Sequence, residues 1–384
     1  MSTLNFAQMI QQMLAVSNQI SDLIFSPGRP PQVELIGQLT PVKIPGIDIL
    51  TPAHTEGIAN ALIGNQTTAR ESLEKSGSAD LSFSIQGLSR FRVNIFKQRG
   101  TIAIVMRVVP NAIPSFADLG LPDQLKAIAD LKNGVVLVTG PTGSGKSSTL
   151  AAIIDLINET KYYHVVTIED PIEFMHRHKK STVHQRELHA DTNNFAHALR
   201  AALRQAPKVI LVGEIRDRDT LEVALEASET GHLVLSTLHT TDAPKTVGRM
   251  VGLFPTDQEH VIRTRLSNSF KFIVSQRLLP RADGNGRIAA IEILKSNART
   301  RDYIEKGDRD GKSLYDAMAD GELEGMQTFD HVLEGLTREG FVSLHDALAY
   351  ATNRNNLMLR LADFGADTGS GAESLKSSML DLIS

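Results

Sequence analysis

Apolar positions near the start of the chain fall three and four residues apart: Phe6, Met9, Ile10, Met13 and Leu14. That spacing predicts an amphipathic helix from Phe6 to Ile24, closed by the prolines of "SPGRPP". A second helix is predicted over Thr55–Glu74. From Leu81 the period drops to two. "LSFSIQ" and "RFRVNIF" alternate apolar with polar residues, and "IAIVMRVV" is almost wholly apolar. Three strands are expected, turning at Gly87 and at Arg99–Gly100. Residues 1–110 therefore read as an α+β domain, and the two prolines of "PNAIPSF" mark a linker, residues 111–118.

Past the linker the pattern changes again. "GVVLV", "HVVTI", "VILV" and "HLVLST" are unbroken apolar runs bounded by turn residues, with helical stretches between them. Strands buried on both faces and alternating with helices predict a parallel sheet in an α/β domain, residues 119–365. Its last part, from about residue 297, reads as mostly helical. Small polar residues open a tail, residues 366–384, that is expected to be flexible. Leu375, Met379, Leu382 and Ile383 fit either a frayed end or a short docking helix.

Composition narrows the classes. The 384 residues leave room for two or three domains. There are no cysteines, which excludes disulfides and Cys-based zinc sites. A net charge of −4 argues against a protein that holds nucleic acid mainly by neutralising phosphates. "HRHKK", His176 to Lys180, is the one local basic cluster and reads as a solvated loop or a subunit contact. The start "MSTLNFAQMIQQML" lacks a basic segment followed by an apolar block, and no window reaches membrane-spanning length. A soluble cytoplasmic protein is expected.

The strongest chemical signal is "GVVLVTGPTGSGKSS". Gly140, Gly145, Lys146 and Ser147 fill every fixed position of the phosphate-binding pattern G-x-x-x-x-G-K-[ST], between a strand and a helix. Residues Gly140, Pro141, Thr142, Gly143, Ser144, Gly145, Lys146, Ser147 and Ser148 form the expected ATP cradle. Glycines let backbone N–H groups face phosphate oxygens, and the helix N-terminus adds its positive end. Lys146 would meet the β- and γ-phosphates, and the Ser147 hydroxyl would ligate Mg²⁺.

Such a loop identifies a nucleotide rather than a task. Three further stretches carry acids and histidines. "TIEDPIEF" places Glu169, Asp170 and Glu173 at the end of a strand expected to lie beside the phosphate-loop strand. A carboxylate there could orient the attacking water or be a solvated turn. "VILVGEIRD" ends in Glu214, which needs a partner if buried, either Mg²⁺ through a water or Arg216. "TGHLVLSTLHT" sets His232 and His239 at the two ends of a strand. Those two histidines, without a third ligand, make a weak zinc site.

These four stretches, in this order, resemble the signature boxes of the type II/IV secretion ATPase superfamily. "RFRVNIFKQRG", "HQREL", "ALRAALR", "GMQTFDHVL" and "ARTRDYIEKG" are similar to segments of the type IV pilus retraction ATPases within it. The resemblance implies a RecA-like core preceded by a smaller PAS-like α+β domain. It also implies a hexameric ring that hydrolyses ATP with Mg²⁺ at the cytoplasmic face of the inner membrane. Its partners would be a membrane platform protein and a paralogous pilus ATPase, with no specific nucleic acid. By the same resemblance Glu173 is the catalytic glutamate, with Glu169 as its alternative. Glu214 is the acid of the second strand motif, near Mg²⁺, and His232 and His239 form a histidine box. Arg90, Arg92 and Arg107 match arginines that reach the nucleotide. The family's assembly motors usually carry a four-cysteine insert, which a chain without cysteines cannot form.

Overall fold

The computed structural model describes residues 6–362 except 18, 36, 111, 309 and 310. The predicted tail and its Leu375–Ile383 apolar positions lie outside the described residues. The chain divides into two compact units. One is Met1–Ala112 with Glu173–Met175, the other Ile113–Ile172 with His176–Ser384.

In the first unit α1 (Phe6–Leu14) buries Met9, Ile10 and Met13, as its spacing requires. It does not continue to Ile24. Ile20–Phe25 is a strand, β1, with Leu23 and Phe25 fully buried. Leu23 pairs with Met106 and Phe25 with Ile104, so a distant strand overrides local helical spacing here. Two four-residue strands, β2 (Gln32–Leu35) and β3 (Gln38–Pro41), follow and were not expected. The second predicted helix is two: α2 (Pro52–Ile63) and α3 (Thr67–Ser76). Gly64, at φ 50°, ends the first of them.

The three expected strands are present as β4 (Ser78–Ile85), β5 (Ser89–Gln98) and β6 (Thr101–Val109). Arg99 at φ 47° and Gly100 at φ 74° make the two-residue turn between β5 and β6. The antiparallel sheet runs β3-β2-β1-β6-β5-β4. Along β5, Phe91, Val93 and Ile95 enter the core while Arg90, Arg92 and Asn94 take the opposite, partly exposed face.

The second unit opens with β7 (Gly134–Thr139), α4 (Lys146–Thr160), β8 (His164–Glu169) and β9 (Thr182–Glu187). It continues through α5 (Phe195–Ala202), β10 (Val209–Val212), α6 (Arg218–Glu229), β11 (Leu233–Leu238), α7 (Ala243–Val251) and α8 (Glu259–Ser269). The long hairpin β12 (Phe270–Pro280) and β13 (Arg287–Lys295) precedes a helical end: α9 (Ala298–Lys306), α10 (Leu314–Ala319), α11 (Phe329–Arg338), α12 (Leu344–Tyr350) and α13 (Arg354–Arg360).

The sheet order is β13-β12-β7-β11-β10-β8-β9, parallel except for β13. Val135, Leu137, Ile210 and Val234 pack on one side with α6, α7 and α8, and Val136, Val138 and Leu235 on the other with Ile153, Ile154 and Ile157 of α4. The sheet is thus covered on both faces, as the apolar runs predicted. The expectation that β8 lies beside β7 fails: β11 and β10 stand between them. No helix among the described residues is long and apolar enough to cross a membrane.

Candidate functional site

Between β7 and α4 the chain turns through three glycines with φ of 144° (Gly140), 78° (Gly143) and 92° (Gly145), in the region L side chains avoid. A Cβ on Gly140 would stand 2.5 Å from both the Gln276 carbonyl oxygen and Ser144 Oγ, so only glycine fits. Lys146, the first residue of α4, is buried, and its Nζ donates to the carbonyls of Gly140 and Pro141 at 2.9 Å each. The ammonium is thereby held within the turn. Pro141, Thr142 and Gly143 are exposed, and Ser147 and Ser148 are half-buried in the first turn of α4. Ser144 is buried with its hydroxyl unpartnered. An orphaned hydroxyl, a fixed ammonium and a helix N-terminus together suit a polyphosphate.

Parallel pairing brings other predicted groups to the same edge. Thr139 is in register with Leu238, and Ser236 with Val212. The segments after β7, β11 and β10 therefore leave the sheet side by side. His239 and Glu214 are on two of them, and His239 Nε2 lies 3.4 Å from Glu214 Oε2. Arg216 pairs with the other oxygen, so Glu214, at 12 % exposure, has two protein partners. The Ser236 hydroxyl donates to Val212 O and the Thr237 hydroxyl to Gly213 O, both at 2.7 Å, which fixes these ends to each other.

Glu169 ends β8 at this edge, beyond β10. Its Oε1 accepts from Thr167 Oγ1 at 2.6 Å and Gln185 Nε2 at 3.1 Å. A cis peptide, Asp170–Pro171, follows. Glu173 belongs to the first unit, where its Oε1 lies 3.6 Å from Arg92 Nη1.

His232 is not brought to this edge. Its carbonyl accepts from Gly134, the first residue of β7, so it sits at the opposite end of the strands. Its Nδ1 faces Ala227 O at 3.0 Å and Thr230 Oγ1 at 3.3 Å, which closes the end of α6. The parallel direction of β11 separates the two histidines of the box by a whole strand. Nor is "HRHKK" a simple solvated run. His176 is buried and its pKa is lowered by burial to about 4, while Lys179 pairs with Asp155 and Glu159.

The three arginines share one face of the first unit's sheet. Arg92 stands directly opposite Arg107, and Arg107 opposite Asp22. The buried Asp22 accepts from Arg107 Nε at 3.0 Å and so offsets one of the two adjacent cations. Arg90 Nη1 reaches Ser84 Oγ at 3.4 Å. Among the described residues no three His, Cys, Asp or Glu side chains are grouped to hold a metal.

Two residues that support the groups named above, one in each unit, escaped the sequence reading. Asp22 lay inside the mistaken helix. Gln276 touches the turn at Gly140 and donates to Thr149 Oγ1 of α4 at 2.8 Å. Its signal was a polar pair, Ser275–Gln276, within an apolar strand.

A family model described as type II/IV secretion system protein matches residues 65–321. The chain belongs to this family. Within it, the chain is 43 % identical over 344 residues to the type IV pilus retraction ATPase PilT of Pseudomonas aeruginosa, covering 88 % of this chain and 96 % of that one. It is 39 % identical over 349 residues to the type IV pilus ATPase PilU of the same organism, covering 91 % and 89 %. A crystal structure of the pilus retraction motor PilT with bound ADP superposes with a TM-score of 0.81 at 42 % identity, covering 92 % of this chain and 98 % of the other.

Proposed function

We propose that this protein is a Mg²⁺-dependent ATPase that acts as a hexameric motor for retracting a type IV pilus. It would work at the cytoplasmic face of the inner membrane against a platform protein. The carrying observation is the common edge where the Lys146 turn, His239 and Glu214 meet, in a chain 43 % identical to a retraction ATPase. In this reading the Gly140–Ser148 amides and the Lys146 ammonium hold the phosphates of ATP. Ser147 and Glu214, the latter through a water, would hold Mg²⁺, which neutralises charge on the transferred phosphoryl group. Glu173 orients the attacking water, with Glu169 as alternate. Arg90, Arg92 and Arg107 supply permanent planar cations to the same charge. The linker near residues 111–118 is where a change of angle between the domains would convert turnover to movement.

Steady-state Mg-ATP hydrolysis by the purified protein, beside Glu173→Gln, tests this. The native protein is expected to turn over, and the variant to lose roughly 10²-fold or more, the loss of a general-base group. If neither hydrolyses ATP while both bind it, the motor reading gives way to a second one, an ATP-binding accessory of another pilus motor. The match to a second pilus ATPase of one organism favours that reading as the runner-up.

A further inference from the structure

Glu292 is the most deeply buried acid among the described residues, at 0 % exposure in the middle of β13. Unpaired carboxylates are costly there, so its surroundings bear on why the chain has one. Across the hairpin it faces Ser275, which in turn faces Thr139, the last residue of β7 before Gly140. Thr139 Oγ1 donates to Ser275 Oγ at 3.0 Å. The three polar side chains form a buried row across β7, β12 and β13 that ends at the phosphate turn.

The carboxylate also reaches out of the sheet. Glu292 Oε1 accepts the backbone N–H of Ala243, the first residue of α7, at 2.8 Å. Asp242 caps that helix by accepting from Lys245 N at 2.9 Å, and the Thr246 hydroxyl donates back to Asp242 O at 2.7 Å. The same short turn begins at His239, whose ring contacts Glu214. Glu292 Oε2 has no hydrogen bond of good geometry. The charged and titratable groups around it are Asp242 on α7, Arg277 on β12 and Tyr315 on α10, with Asp330 of α11 next to Arg277 and Tyr315. Arg277 is engaged elsewhere, stacked 3.7 Å from the Phe329 ring centre and donating to Tyr350 O.

We propose that Glu292 is a positioning residue for the nucleotide site: its buried carboxylate ties the start of α7, and with it the His239 turn that touches Glu214, to the strands beside the phosphate turn. This rests on the ATPase reading above. An apolar residue would pack in the same place with less desolvation, but it would leave the Ala243 amide unpartnered and the turn free to shift. Burial raises the carboxyl's pKa to about 7, and the Ala243 amide, Arg277 and Ser275 hold it lower than burial alone would.

The test is ATP turnover, with kcat and KM separated, for native protein, Glu292→Ala, Glu292→Gln and Ala243→Pro. Glutamine keeps an oxygen for the Ala243 amide. Proline at 243 removes the amide from the other side at a first helical position, where a missing N–H is tolerated, and Asp242 before it is already extended at φ −159°. Glu292→Ala and Ala243→Pro are each expected to lose roughly tenfold to a hundredfold in kcat, as for a misplaced catalytic group. KM for ATP is expected to stay within about twofold, the mark of a transition-state rather than a binding defect. Glu292→Gln should recover most of the rate. Amide exchange at Ala243 should quicken in Glu292→Ala and not in Glu292→Gln. Should Glu292→Ala not fold, Ala243→Pro and the recovery by glutamine decide. A native rate in Glu292→Ala or Ala243→Pro overturns the proposal, as does a Glu292→Gln protein slowed to the same degree as Glu292→Ala. A native protein without turnover instead overturns the ATPase reading.

Discussion

The two sheets of this protein place charge in opposite ways. β5 has one face in the core and sets Arg90, Arg92 and Asn94 on the other. β7, β10 and β11 are buried along their whole length and carry chemistry only where they end. A sheet covered on one face can display cations along a strand at little desolvation cost. A sheet covered on both has no such face, so its ligand groups collect at the carboxyl edge. Asp22 and Glu292 are among the acids that the two sheets bury, and both are tied to groups that bear on the proposed site.

The sharpest way to break this comparison is at the edge of the parallel sheet. Lys146→Ala should reduce ATP turnover by about 10³-fold, since a fixed cation is lost where charge develops. Its thermal midpoint should remain near native. Turnover within tenfold of native would mean that the edge does not carry the chemistry.

Arg92→Ala probes the open face. Turnover should fall by on the order of 10²-fold if that face supplies charge to the phosphoryl group. An unchanged rate would reduce these arginines to surface charges. Arg92→Lys should recover little, because a point charge does not reproduce a planar fork.

Asp22→Ala leaves Arg107 opposite Arg92 without its own carboxylate. Breaking a buried pair costs several kcal/mol, but Arg107 is 65 % exposed, so about 1–2 kcal/mol is expected. Urea unfolding of the first unit should report it while ADP binding at the Lys146 turn holds. Weakened ADP binding with unchanged unfolding would reverse the assignment.

The smallest effect is a pH dependence. Glu292 has its pKa raised from 4.5 to about 7 by burial, so the folded state holds a proton there that the unfolded chain releases. Native stability therefore falls as pH rises through that window. Glu292→Gln cannot ionise. Its melting temperature relative to native should rise between pH 4.5 and pH 7 and level off above. A difference that is flat with pH would show that the carboxyl does not titrate in this range.

What could be read from sequence followed from how local each feature is. β5 was legible because its alternation is complete. β7 and β11 were legible because turn residues bound their apolar runs. β1 was not, since what makes Ile20–Phe25 a strand is its pairing with β6, some 80 residues away in the chain. β12 and β13 were overlooked although long. Their apolar runs are interrupted by Ser275, Gln276 and Glu292, which bond to the phosphate turn's flanks and supports, and by Arg277, which stacks on Phe329. Local rules failed where polar groups are buried to hold a site.

The phosphate turn itself was determined by sequence alone. Three glycines and a lysine within seven consecutive residues build their own cradle, because the conformations and the cation are all local. Which side chains meet around it was decided by tertiary structure. Periodicity yields strands but neither their order nor which end faces the ligand. The order β7-β11-β10-β8 puts His239 on Glu214, moves Glu169 beyond β10 and leaves His232 at the far end of its strand. Glu292 follows the same logic. In the chain it is one acid in an apolar run, and only the pairing of β13 with β12, and of β12 with β7, makes it part of the site.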